Sequence, residues 1–178
     1  MRIIAGAVKG RKLETPPDGT RPLTGKAREA LFSILGDAVE GAAILDLYAG
    51  SGSFGLEALS RGAADVVFVE RDPLAVSVLR DNIDAVGLGG RIEAANVEAY
   101  LGTSNGSFDL VFVDPPWALD GTAVDQVLTL VEPPAKDGGI VIVHRRAGGG
   151  QPASDNLRLT DRRRYGDTEL WLYAKEGA

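Results

Sequence analysis

Apolar residues in this chain recur in short runs, and helix-length segments separate most of these runs from residue 42 onward. Read as strands, the runs cover residues 43–47, 66–70, 91–94, 108–113 and 139–144. Helices are predicted over residues 53–61, from the Asp72-Pro73 pair onward, and near residues 121–131. Helix-length segments between apolar strands favour right-handed βαβ crossovers, so the pattern predicts a mostly parallel sheet with helices on both faces.

The two ends of the chain differ from this repeating middle. Apolar runs at residues 157–159 and 170–173 flank a Tyr-Gly-Asp turn and predict an antiparallel hairpin that closes a seven-stranded sheet. Apolar positions at helical spacing predict an amphipathic helix over about residues 24–36. We therefore expect a basic N-terminal arm or hairpin at residues 1–23 and a Rossmann-like α/β domain at residues 24–178.

A glycine-rich turn connects the first predicted strand to the following helix. Gly50, Gly52 and Gly55 satisfy the pattern G-x-G-x-x-G, and Glu70 lies at the end of the second strand. This layout is typical of a dinucleotide site. It suits S-adenosylmethionine equally, because the ribose hydroxyls of that ligand also require a carboxylate acceptor.

Asp46, at the end of the first strand, favours the second ligand. A carboxylate four positions before the first glycine would repel a pyrophosphate, whereas it would attract the cationic amino-acid end of S-adenosylmethionine. The structural alternative is a tight strand–helix connection in which Asp46 caps the next helix.

The motif Asp114-Pro115-Pro116-Trp117 directly follows the fourth strand, which is expected beside the first strand where ligands bind. Asp114 can accept a hydrogen bond from an exocyclic amine, and the stiff prolines can aim the Pro115 carbonyl at the same amine. Trp117 offers a flat face on which an unstacked base is stabilised by about 1–3 kcal/mol. The alternative is a rigid loop with a surface tryptophan.

Composition narrows the class of protein. A chain of 178 residues with 44% apolar and 25% charged residues fits one soluble domain. Cysteine is absent and His144 is the single histidine, so thiolate and multi-histidine metal sites are excluded and no metal is expected. We expect His144 to be a structural or rim residue. No apolar run approaches the roughly 20 residues that cross a bilayer, and we expect a cytoplasmic monomer.

Three sequence blocks resemble one family of bacterial enzymes, and together they cover nearly the whole chain. The family is the 16S rRNA (guanine(966)-N(2))-methyltransferases, amino-methyltransferases with an (Asn/Asp/Ser)-Pro-Pro-aromatic motif. The similar blocks are Arg2–Gly6 with Lys9–Arg11, Arg21–Thr24 with Arg28–Phe32, and Asp46–Gly62. Trp117 stands where Phe or Tyr is common, and Asn96 stands where an acidic residue is frequent.

The resemblance implies a class I methyltransferase fold, S-adenosylmethionine as cofactor, and 16S rRNA of the small subunit or its assembly intermediate as substrate. The first loop would hold the methionine end of the cofactor through Asp46, Tyr48, Gly50, Ser51, Gly52 and Gly55. Glu70 and Arg71 would lie at the ribose, and Asn96 and Val97 near the adenine. The residues from Asp114 to Trp117 would hold the target base.

The net charge of −6 argues against indiscriminate nucleic-acid binding, but the charge is unevenly distributed. Residues 1–30 carry +4, residues 31–143 carry −12 and residues 144–178 carry +2. Basic residues of the N-terminal segment are expected to contact RNA phosphates: Arg2, Lys9, Arg11, Lys12, Arg21 and Arg28. The alternative is an ordinary solvated face, and Arg162-Arg163-Arg164 forms a weaker second patch.

The sequence also allows other activities. The aromatic motif alone also allows an adenine or cytosine amine in DNA. An NAD-dependent oxidoreductase fits the glycine pattern, although the chain lacks a second substrate domain. A non-catalytic RNA-binding assembly protein would keep the basic segment without transferring a methyl group.

Overall fold

A computed structural model of the protein describes residues 1–16 and 23–177. Its helices are α1 (Gly25–Leu35), α2 (Ser53–Ser60), α3 (Pro73–Val86), α4 (Val97–Leu101) and α5 (Gly121–Val131), with a 3₁₀ turn at Gly36–Val39. Its strands are β1 (Ala43–Leu47), β2 (Asp65–Glu70), β3 (Arg91–Ala94), β4 (Phe108–Val113), β5 (Ala135–Arg146), β6 (Leu157–Tyr165) and β7 (Thr168–Lys175).

The seven strands form one sheet in the order β3-β2-β1-β4-β5-β7-β6. Strands β1 to β5 run parallel, and β7 runs antiparallel to both β5 and β6. The predicted fold class is therefore confirmed, including the C-terminal hairpin. The order of strands reverses between β1 and β4, so their carboxyl ends leave a crevice at that edge of the sheet.

Two elements differ from the sequence prediction. Strand β5 begins at Ala135 instead of residue 139, because it continues past a register shift opposite Phe108 and Leu110. The polar and glycine residues at that irregularity hide the early part of the strand. Helix α4 was not predicted, since five residues are too few to show a helical period.

Side chains alternate between the two faces of the sheet and create two cores. Ile44 and Phe112 belong to the core on the side of α1, α2 and α3, whereas Leu45 and Val111 belong to the core on the side of α4 and α5. Within the described ranges, no helix is long and apolar enough to cross a membrane.

The N-terminal segment, residues 1–13, folds back on itself and docks on α2. Arg2 and Lys12 form an antiparallel bridge, and Ile3 and Leu13 are buried in the core shared with α1 and α2. The carboxylate of Glu57 accepts hydrogen bonds from the backbone N–H groups of residues 4 and 5, at 2.7 and 3.1 Å. The segment is thus fixed to the α/β body by main-chain contacts.

Candidate active site

A cavity of about 280 Å³ opens at the carboxyl ends of β1, β2 and β4. Eight residues expected from the sequence line it: Tyr48, Gly50, Glu70, Arg71, Asn96, Val97, Asp114 and Pro116. Eight further lining residues were not expected: Pro16, Val69, Asp72, Leu74, Ala75, Ala95, Glu98 and Leu119. Ligand pockets combine apolar walls with a few placed polar groups, and this lining has both.

Several expected cofactor residues lie behind the cavity wall and not in it. The Gly52 N–H bonds to the Ala49 carbonyl at 2.7 Å, and a Cβ at Gly52 would lie 2.5 Å from Leu79. A Cβ at Gly55 would lie 2.3 Å from the Phe68 ring. Gly52 and Gly55 therefore allow close packing of the loop and α2 on the sheet, and their contact with a cofactor stays a prediction.

Ser51, Pro115 and Trp117 also do not line the cavity. Ser51 is buried, and its carbonyl accepts a hydrogen bond from the Asn82 amide at 2.9 Å. Pro115 is buried, whereas its neighbour Pro116 is exposed. The Trp117 ring is half-buried and packs against the Arg146 guanidinium, whose Cζ lies 5.6 Å from the ring centroid.

Asp46 caps α2 from within the core. Its Oδ2 accepts a hydrogen bond from the Gly55 N–H at 2.9 Å, which is the helix-capping role that the sequence also allowed. Its Oδ1 is buried and has no hydrogen-bond partner in the described part of the chain. Burial raises the pKa of Asp46 well above its usual range, and the nearby carboxylates of Asp114 and Glu70 raise it further.

Glu70 is held rigidly at the end of β2. Its Oε2 accepts from the Gly50 N–H at 2.9 Å, and its Oε1 accepts from the N–H groups of Arg71 and Asp72 at 2.7 and 2.8 Å. A carboxylate oxygen accepts more than one hydrogen bond. Glu70 therefore joins the glycine turn to the cavity and still has capacity to accept from ligand hydroxyls.

Tyr48 and helix α4 form another part of the wall. Tyr48 has φ 59°, the one positive φ of a residue other than glycine in the described ranges, which marks backbone strain at the site. Its hydroxyl lies 3.5 Å from the Glu98 carboxylate, and burial followed by that carboxylate raises the Tyr48 pKa. Asn96 caps α4, since its Oδ1 accepts from the Ala99 N–H at 3.0 Å, which leaves its amide NH₂ for a ligand.

Asp114 has a partner that sequence reasoning missed. Its Oδ1 lies 2.7 Å from Nδ1 of His144, and His144 is 2% exposed, so it is not a rim residue. The two residues follow Val113 and Val143, which face each other in the parallel pair of β4 and β5. That register could have indicated the contact, but the pairing of these two strands is a tertiary property.

The basic N-terminal residues divide into two groups. Arg2, Lys9, Arg11 and Lys12 are exposed, whereas Arg21 lies outside the described residues. Arg28 is 2% exposed, donates to the Arg2 carbonyl at 2.5 Å and lies 4.0 Å from Glu57. Burial lowers the pKa of Arg28. The expectation that Arg28 contacts RNA is wrong, because its guanidinium is committed to the core.

The strand order identifies the class of protein. In this sheet the antiparallel β7 lies between β5 and β6, whereas a dinucleotide-binding Rossmann sheet places its sixth strand directly beside the fifth. This is the fold of the class I methyltransferases. The chain belongs to the family described as Conserved hypothetical protein 95, which matches residues 1–174.

Similar proteins support the same assignment. Ribosomal RNA small subunit methyltransferase D of Escherichia coli is 34% identical over 95% of this chain and 93% of its own length. The solved structure of yhhF from Escherichia coli superposes with a TM-score of 0.89 at 34% identity, covering 100% of this chain and 99% of that one. The hypothetical protein TTHA0928 from Thermus thermophilus superposes with a TM-score of 0.86 at 34% identity and 99% coverage of both chains. These likenesses confirm the resemblance drawn from the sequence blocks.

Proposed function

We propose that this protein transfers a methyl group from S-adenosylmethionine to the exocyclic N2 of a guanine in 16S rRNA, within the small subunit or an assembly intermediate. One observation carries the proposal. Asp114, the acceptor of the Asp-Pro-Pro-Trp motif, lines the same cavity as Glu70 and the glycine turn. A base amine at Asp114 and a cofactor at Glu70 would therefore meet in one cavity.

The donor groups around the cavity fit S-adenosylmethionine. The cofactor, when bound, supplies an electrophilic methyl group on a sulfonium cation. The carboxylates of Glu70 and Asp114 line the cavity and favour a cationic ligand, and behind the wall Asp46 Oδ1 is a buried oxygen without a protein donor among the described residues. A pyrophosphate would be repelled by the same groups, which argues against a nicotinamide cofactor.

Individual wall residues suit separate parts of that cofactor. Glu70 would accept hydrogen bonds from the ribose hydroxyls. Leu74 and Leu119 offer apolar surface to the adenine ring, and the Leu74 side chain is exposed at the mouth of the cavity. The Asn96 amide, whose oxygen caps α4, would donate its N–H to an adenine nitrogen.

The residues of the Asp-Pro-Pro-Trp motif act on the nucleobase. The N2 amine of guanine is a weak nucleophile because its lone pair is delocalised into the ring. Asp114 and the Pro115 carbonyl would accept hydrogen bonds from this amine and favour its tetrahedral, cation-like form in the transition state. Trp117 would stack on the extruded base.

The exposed basic side chains of the N-terminal segment would contact the RNA backbone. Arg2, Lys9, Arg11 and Lys12 are carried on a segment that Glu57 fixes to the α/β body. Phosphate contacts from such a segment orient the RNA without reading its sequence. The acidic middle of the chain, in contrast, opposes non-specific binding elsewhere on the surface.

The test is methyl transfer from labelled S-adenosylmethionine to 30S particles, free 16S RNA and DNA, followed by identification of the modified nucleoside. We expect N2-methylguanosine in ribosomal RNA. A methylated DNA base, a different RNA nucleoside, or binding of NAD in preference to S-adenosylmethionine by calorimetry would each overturn the proposal. RNA binding without transfer would instead indicate an assembly protein.

Asp114→Ala is the matching variant. It should abolish turnover while calorimetry shows little loss of cofactor affinity, because Asp114 acts on the base. Near wild-type turnover in this variant would refute the mechanism.

A further inference from the structure

Asp114 stands at the boundary between the core and the cavity. Its side chain is 21% exposed, whereas the side chain of its partner His144 is 2% exposed. His144 lies in β5, where it pairs in register with Leu170 of β7, and its ring meets the edge of Phe54 at a centroid distance of 6.5 Å. One carboxylate oxygen of Asp114 is therefore hydrogen-bonded to a side chain that lies in the apolar core.

The hydrogen-bond partners of the two ring nitrogens of His144 favour one tautomer of the imidazole. Nδ1 of His144 contacts Asp114 Oδ1 at 2.7 Å, but Nε2 is buried and has no partner among the described residues. An imidazolium, or a neutral ring protonated at Nε2, would bury an N–H donor without an acceptor. A protonated Asp114 that donates to Nδ1 would require the same Nε2–H. The neutral form with its proton on Nδ1 avoids this cost.

We propose that His144 is a positioning residue for methyl transfer. Its neutral imidazole donates Nδ1–H to Asp114 Oδ1, which fixes the plane of the carboxylate and leaves Oδ2 to accept from the target amine. The inference rests on the proposed function of Asp114, and it adds a residue for which sequence reasoning expected only a structural place.

The consequence for catalysis is geometric. A carboxylate at the end of a strand rotates about its side-chain bonds unless a second group holds it. Correct alignment of a reacting pair contributes strongly to rate, and a small displacement of a supporting group reduces turnover. Loss of the His144 donor should therefore lower kcat more than it affects the binding of cofactor or RNA.

The first experiment reads the pair directly. His144 is the single histidine, so protein labelled with ¹⁵N-histidine gives one imidazole in a long-range ¹H–¹⁵N NMR spectrum. We expect the pattern of a neutral ring protonated at Nδ1, with a downfield Nδ1 proton that shifts in Asp114→Ala. A ring protonated at Nε2, a doubly protonated ring at neutral pH, or a spectrum unchanged in Asp114→Ala would overturn the proposal.

The second experiment separates positioning from packing. His144→Phe keeps a ring but removes the donor, and His144→Asn keeps a donor near the position of Nδ1. We expect His144→Phe to lower kcat about tenfold or more, with KM values unchanged, and His144→Asn to recover most of that loss.

A merely structural role would give a different result. His144→Phe removes the buried Nε2, which has no partner in the described part of the chain, but also the donor to Asp114, so the Tm is read only together with kcat. A lower Tm with unchanged kcat per folded molecule would overturn the proposal. If His144→Phe does not fold, the kinetics of His144→Asn and the wild-type spectrum still show whether His144 positions Asp114.

Failure of the two proposals can be distinguished. If the wild-type protein methylates no RNA, the proposed function fails, whereas the NMR experiment still shows whether His144 holds Asp114. If methyl transfer occurs and the spectrum lacks an Nδ1 proton, only the positioning role fails.

Discussion

The guanidinium of Arg146 lies against the indole ring of Trp117, with 5.6 Å between Cζ and the ring centroid. Arg146 ends β5 and Trp117 ends the Asp-Pro-Pro-Trp motif, so two adjacent strands supply the two partners. A cation over an aromatic face stabilises its orientation by about 0.5–1 kcal/mol at an exposed site. A base that stacks on this ring therefore meets either the opposite face or a displaced arginine.

We predict that Trp117→Ala lowers kcat/KM for RNA about tenfold to a hundredfold, the loss that corresponds to removal of base–aromatic stacking. Trp117→Phe should retain most of the activity, because phenylalanine keeps a stacking face. Cofactor affinity, measured by calorimetry, should not change.

The second tryptophan provides the control. Trp171 is buried in β7, and Trp171→Phe leaves Trp117 as the single indole fluorophore of the chain. RNA should quench the fluorescence of that variant. Unquenched fluorescence at saturating RNA would contradict stacking at Trp117.

We predict that Asp46→Asn raises the stability of the protein and weakens its binding of the cofactor. Burial raises the pKa of Asp46 in the folded protein above its ordinary value of 3.8. The stability that this group supports is fully present below the unfolded pKa, and it is lost as pH rises through the folded pKa. Asp46→Asn keeps an acceptor for the Gly55 N–H, so its free energy of unfolding should exceed the wild-type value increasingly as pH rises from about 4.

Cofactor binding should move the other way in Asp46→Asn, because the variant lacks a carboxylate for a cationic ligand. Denaturant titrations from pH 4 to 8 and calorimetry measure the two effects. Asp109→Asn is a control of opposite sign. Burial raises the pKa of Asp109, but hydrogen bonds from Lys136 and the Ala43 N–H outweigh it and lower that pKa. A pH-independent difference for Asp46→Asn would contradict the prediction.

We predict that replacement of Glu57 strongly destabilises the folded protein. Its fully buried carboxylate accepts from Arg61 at 2.8 Å as well as from the backbone of residues 4 and 5, and it lies 4.0 Å from buried Arg28. Glu57→Ala should lower the free energy of unfolding by about 3–5 kcal/mol, because it leaves a buried cation without its partner.

The exposed pair of Lys12 and Glu14 is the matched control for Glu57. The side chains of this pair are 63% and 65% exposed, and Glu14→Ala should change stability far less than Glu57→Ala, because water screens an exposed ion pair. Chemical denaturation measures both variants. Equal effects of the two substitutions would show that Glu57 does not anchor the N-terminal segment.

We predict that the exposed basic residues of the N-terminal segment contribute to the salt dependence of RNA binding. Lys9→Gln and Arg11→Gln should each reduce the slope of log affinity against log salt by up to about 1. Arg91→Gln, which changes an exposed arginine on the edge strand β3, is the charge-matched control and should leave the slope unchanged. Equal slopes for all three variants would favour an ordinary solvated face.

The sequence predicted those features that depend on local pattern. The strands were found because buried parallel strands are continuous apolar runs, and the glycine turn was found because its residues are adjacent in the chain. Glu70 and Asp114 were found for the same reason, since each ends such a run.

The missed features depend on which elements become neighbours. The contact of His144 with Asp114 requires β5 to lie beside β4, and the burial of Arg28 requires Glu57 to face it from α2. Leu74 lies at the start of α3 and Leu119 lies in the loop after β4. Both line the cavity because these two segments meet at the same edge of the sheet. None of these relationships has a spacing that a single sequence displays.

The manner in which Glu57 holds the N-terminal segment has an evolutionary consequence. Its carboxylate recognises the main-chain N–H groups of Ile4 and Ala5, and those groups are the same for every residue except proline. Exposed side chains on the segment can therefore change without loss of the attachment. Homologous proteins could adapt this surface to a different nucleic-acid contour while the fold beneath it stays constant.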